Sequence, residues 1–136
     1  MKCDRYIVKP EIGLVVGEKD RTWKDDVVTE IEKKLGSDVG LFISSLCHHL
    51  DFYEILKPDG PKFKSVARCQ EGDEYSEKIG MQIVDAKVSY KYHHSMQRKY
   101  QRILRELRKI VKGIEELESK HRNEAAKYDD KLATFL

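Results

Sequence analysis

Between about Glu74 and His121 the sequence contains nothing that stops a helix except two glycines, Gly80 and Gly113, and each costs only ~1 kcal/mol relative to alanine. The stretch predicts one helix of about 45 residues, roughly 70 Å at 1.5 Å per residue. A chain of 136 residues cannot wrap a rod of that length, so the rod must show two faces to solvent or to partners. The composition agrees: 37% charged against 40% apolar is polar for one compact domain.

The later part of that rod carries a heptad seam. Met96, Tyr100, Ile103, Leu107, Ile110, Ile114 and Leu117 alternate steps of four and three, with Tyr100, Leu107 and Ile114 at a and the others at d. Leu104 and Val111 lie beside them at e, and a stripe that wide suits a bundle or higher oligomer better than a strict two-stranded coil. The seam loses apolar character at His93 and His121. Ahead of it, Ile79, Ile83, Val84 and Val88 use a different face, one suited to packing on a small sheet. The expectation is self-association, as a dimer or tetramer, through 96–117.

Charge is distributed unevenly. Residues 1–86 have net charge −4, residues 87–112 net +8 and residues 113–136 net −2, in a chain of +2 overall. Within 87–112 the single acid is Glu106. Lys91, Arg98, Arg105 and Lys112 fall at f, Lys87 and Arg108 at b, and Arg102 and Lys109 at c. Only Lys99, at g, borders the seam. Exposed coiled-coil faces are commonly charged, which is the bland explanation. A merely solvated face mixes its signs, however, and this one repels itself unless an anion offsets it. The counter-charge can be nucleic acid, an acidic protein surface, or the chain's own acidic first part. For nucleic acid the stripe supplies phosphate contacts that are salt-dependent and indifferent to sequence. Tyr90, Tyr92 and Gln101 are near it but form no stacking platform, and no helix-turn-helix or zinc-finger signature accompanies it.

The rest of the chain reads as a small α+β region. Tyr6–Lys9 and Ile12–Val16 are β-branched runs parted by Pro10. Thr22 and Asp25 form a capping-box pattern for a helix over about 23–35 that Gly36 closes. Ser37 can cap a second helix, with Val39, Phe42, Ile43, Leu46, Leu50 and Tyr53 on one face and Pro58 at its end. A strand over 39–44 fits the same apolar run. The turn KPDGPK precedes a strand at 62–69, and the acidic loop 70–75 leads to a cap at Asp73 or Ser76. The fold class expected is α+β: a small antiparallel sheet (5–17 and 62–69), one or two short helices, and the long C-terminal helix. The organisation expected is 1–75 as the α+β region, 76–121 as the long helix with an oligomerisation coil in its second half, and 122–136 as a short helical or frayed tail.

Little in the sequence suggests catalysis. Three cysteines, Cys3, Cys47 and Cys69, lack a CxxC and fit reduced thiols in the cytoplasm. The pairs His48–His49 and His93–His94 do not give a metal set, because adjacent side chains on a helix point about 100° apart. A Cys–His nucleophile pair would require Cys47 or Cys69 to meet a histidine in space. The acids Glu71, Asp73 and Glu74 precede a helix, where its dipole favours them anyway. No Walker loop or GxSxG is present. We expect no enzyme, no metal and no cofactor. The longest nearly apolar run, at 39–46, is far short of the ~20 residues that span a bilayer, and Met1–Arg5 leads into no signal-peptide core.

The segment VARCQEGDEYSEKIGMQIVDAK (66–87) resembles a strand–loop–helix signature of uncharacterised small bacteriophage and prophage proteins, in which Ala67, Arg68, Cys69, Asp73, Glu74, Tyr75, Ile79 and Gly80 match in kind. Gln70 and Glu71 stand where His-Pro is usual. The resemblance implies a mobile-element setting in a bacterial host and a stoichiometric binder. Two functions follow as expectations. One is a non-catalytic oligomer holding an anionic partner, nucleic acid first, through Lys87, Lys91, Arg98, Arg102, Arg105, Arg108, Lys109 and Lys112. The other is an inhibitor or adaptor that grips a host protein.

Overall fold

The computed structural model of the protein describes residues 1–21, 27–49, 62–69 and 76–136. The chain is an α+β protein with a three-stranded antiparallel sheet and a long C-terminal helix. Strand β1 (Arg5–Lys9) runs into a 3₁₀ turn over Pro10–Ile12, and β2 (Leu14–Asp20) returns beside it. Proline fixes φ and lacks an N–H, so the turn begins there. Ile12 therefore belongs to the turn rather than to the second strand, which starts two residues later than its β-branched run suggests and continues to Asp20. Tyr6 stands opposite Gly17 and Lys9 opposite Leu14. Strand β3 (Lys62–Arg68) pairs with the other side of β2, Leu14 opposite Arg68 and Asp20 opposite Lys62, giving the order β1-β2-β3.

Helices α1 (Val27–Leu35) and α2 (Ser37–His49) pack on each other. Gly36, at φ +99°, makes the break between them, a conformation that suits glycine. The run at 39–44 is thus helical. The buried residues of α2 are Gly40, Ile43 and Cys47, while Phe42 is exposed; the face is offset from the one read from the larger side chains, because a glycine permits the closest approach. Thr22, Asp25 and residues 50–58, with their proposed cap and helix end, lie outside the described residues, as does the acidic loop 70–75.

Helix α3 runs from Glu77 to Ala133. Ser76 caps it: its Oγ accepts a 3.3 Å hydrogen bond from the Ile79 N–H, one of the donors a helix start leaves unpaired. The helix does not end near His121. No glycine or proline occurs after Gly113, and local ion pairs such as Lys127–Glu124 at 3.1 Å support its later turns, so residues 122–133 extend the same element. Two compact units divide the chain, Met1–Lys99 and Tyr100–Leu136.

In the first unit β3 alternates, with Phe63, Ser65 and Ala67 buried and the residues between them exposed. Cys3, Val15, Phe63, Ala67, Val84 and Val88 form the core, flanked by Tyr6, Val8, Met81 and Tyr92. Val84 and Val88 are fully enclosed, as expected for the sheet-packing face, but Ile79 and Ile83 are exposed. The face that meets the sheet follows Gly80, Val84 and Val88, spaced four apart. Gly80 lies on it because an added Cβ there would sit 2.6 Å from Val15 Cγ2.

Candidate nucleic-acid interface

The cations expected on one continuous face divide into groups with different surroundings. Lys87 Nζ donates a 2.7 Å hydrogen bond to the Val66 carbonyl, and Lys91 Nζ donates to the Lys64 carbonyl. Both carbonyls belong to β3, an outer strand of the sheet. A depression of about 650 Å³ is lined here by Lys64, Ser65, Val66, Lys87, Tyr90 and Lys91. Each ammonium keeps two further N–H donors and its charge. Beside it, Tyr90 stacks on His94 with ring centroids 5.5 Å apart and planes 10° from parallel, and both residues are exposed. The sequence suggested no stacking platform near the stripe; one turn of helix makes this pair, and its i,i+4 spacing was the available signal.

Arg105, Arg108, Lys109 and Lys112 belong to the second unit and line one depression of about 660 Å³ with Gln101 and Leu104. Lys109 reaches Glu106 at 3.2 Å. Among the described residues, Arg105, Arg108 and Lys112 have no carboxylate within ion-pairing distance. Arg102 is half-buried, and Arg98 is exposed but lines neither depression.

The apolar seam is also divided. Met96 and Ile103 are 7% and 5% exposed within the single chain, and Tyr100 and Leu107 are half-buried. Leu104, Ile110, Val111, Ile114 and Leu117 are exposed. Beyond His121 the exposed stripe resumes at Tyr128 and Leu132. Both keep the register of the seam, Tyr128 at a with Ile114 and Leu132 at e with Val111, so the stripe continues past the polar a position at His121.

Cys3 and Cys47 are poor nucleophiles. Burial, a hydrogen bond to Asp85 and the charge of that carboxylate push the Cys3 thiol up to about 12. Burial raises Cys47. Both stay protonated at neutral pH, and the thiolate is the reactive form. His48 and His49 are exposed at the end of α2. Among the described residues no three His, Cys, Asp or Glu side chains converge as metal ligands, and no helix is long and apolar enough to cross a membrane. Glu71, Asp73 and Glu74 lie outside the described residues.

Comparison with protein-family models, with curated proteins and with solved structures returned no match.

Proposed function

We propose that the protein is a non-catalytic, self-associating binder of an anionic partner, nucleic acid first, and that it works in the cytoplasm of a bacterial host, as the phage-type resemblance of residues 66–87 implies. One observation carries the reading: Arg105, Arg108, Lys109 and Lys112 converge on a single depression, with Glu106 as their one local counter-charge among the described residues. Four cations held together repel one another, and phosphates would relieve that repulsion while releasing counterions. Tyr90 and His94 add exposed rings on which an unpaired base can stack,. The open apolar positions Ile110, Ile114 and Leu117 are where copies of the chain would meet.

Binding to a labelled oligonucleotide, titrated at 50 and 200 mM salt, tests the reading. Four phosphate contacts predict a roughly 100-fold loss of affinity across that interval. Replacing Arg105, Arg108, Lys109 and Lys112 together by Gln should abolish binding and leave the far-UV circular dichroism unchanged. Absence of binding at 50 mM, or a response flat in salt, removes the proposal.

The alternative is an inhibitor or adaptor of a host protein. It is favoured by the outer sheet face, where Ile7 and Val66 are exposed on either side of Val16. A single stoichiometric protein recovered from host extract after nuclease treatment, lost on Ile7→Glu, would select it.

A further inference from the structure

We infer that the second unit pairs with a second copy of itself in antiparallel orientation, centred between Ser119 and Lys120. The inference rests on the self-association proposed above and adds its direction and register.

The second unit is a helix with an open apolar stripe. Ile110, Val111, Ile114, Leu117, Tyr128 and Leu132 are each between 38% and 63% exposed. At about 100° per residue they all fall within ~60° of the direction of Ile114. They offer up to roughly 700 Å² per helix, near the ~800 Å² per partner of a standard stable interface. Met96 and Ile103 are already covered in the single chain, so the open stripe is centred well past the seam read from the sequence.

Charge selects the direction. Residues 100–112 have net charge +4 and residues 113–136 net −2. A parallel pair sets +4 beside +4, whereas an antiparallel pair sets each basic half against an acidic one. With the centre between Ser119 and Lys120, Leu107 meets the second copy's Leu132, Val111 its Tyr128 and Ile114 its Ala125. On the flanks Arg108 comes within a turn of Asp129, Glu115 of Arg122, and Glu106 of Lys131. An in-register parallel pair sets Glu106 beside Val111, Gly113 beside Glu118 and Lys120 beside Ala125, with no opposite charges facing. Arg105, Lys109 and Lys112 stay on the outward side, so the dimer keeps two basic surfaces at opposite ends.

Sedimentation of the whole protein and disulfide trapping test this in a Cys69→Ser background. The expected results are a dimer mass, a cross-link when I114C and A125C chains are mixed and oxidised, and none with I114C alone. Glu115→Arg should raise the dimer Kd several-fold, and adding Arg122→Glu should restore it. A dimer in which I114C cross-links to itself and the mixture does not would overturn the antiparallel arrangement while leaving self-association standing. A monomer at 100 µM would remove self-association itself.

Discussion

The side-chain nitrogen of Lys87 lies 2.7 Å from the Val66 carbonyl oxygen, one turn of α3 before Lys91 makes the same contact with Lys64. The two lysines thus occupy acceptors of β3 at the outside of the sheet. An outer strand with open acceptors is a template for pairing with another chain, and lysine is a common guard against it. We expect the double variant Lys87→Met, Lys91→Met to keep its far-UV circular dichroism but to become turbid with time and concentration. Arginine at both positions should prevent this. Equal solubility of the methionine variant and the parent would show that these contacts do not protect the edge.

Asp85 anchors the N-terminal segment to α3. Its Oδ1 accepts from the Cys3 N–H at 2.9 Å and from the Tyr6 hydroxyl at 2.6 Å. Burial pushes the carboxyl up, but the Tyr6 and Cys3 hydrogen bonds outweigh it and hold the group below its ordinary value of 3.8. The Tyr6 hydroxyl responds in the other direction, and its hydrogen bond to Asp85, with burial, pushes it up to about 12. A carboxyl with a lowered folded pKa contributes stability that is fully present above its unfolded value and lost as pH falls through the folded one. Asp85→Asn should therefore cost about 1.5–3 kcal/mol at neutral pH, the range for hydrogen bonds to a charged group. The deficit should shrink below about pH 4. Urea unfolding of both proteins at pH 7 and pH 3 measures it, and a deficit independent of pH would assign the cost to shape rather than charge.

Much of the α+β layout was legible from local signals. Pro10 and Gly36 mark real breaks, Ser76 caps the long helix, and the strand expected over 62–69 is β3. Two features were not legible, for the same reason. Helical periodicity ranks faces by large apolar side chains, yet close packing in this chain uses small ones. Gly80 and Gly40, rather than Ile79 and Phe42, mark the buried faces of α3 and α2. The candidate interface was legible as a charge pattern but not as a set of partners. A heptad wheel places Lys87 and Arg108 at the same position, and nothing in it says that Lys87 reaches a strand carbonyl while Arg108 lines an open depression.

The two glycines of α3 should respond oppositely to one substitution. At Gly80 an added methyl would stand 2.6 Å from Val15 Cγ2 and 3.3 Å from Val15 Cβ. Val15 is 1% exposed in the middle strand and has no room to move aside. Alanine gains ~1 kcal/mol of helix propensity there, but overpacking a filled core costs about 1–3 kcal/mol. The net expectation for Gly80→Ala is a loss of up to about 2 kcal/mol by that balance. At Gly113 nothing lies within 4 Å of the added carbon, so Gly113→Ala should keep the full gain of ~1 kcal/mol. Thermal melts followed at 222 nm should show the melting temperature falling for the first variant and rising for the second. A fall at both positions would mean that residue 113 faces a packed surface. A rise at both would mean that α3 does not approach β2 at Gly80.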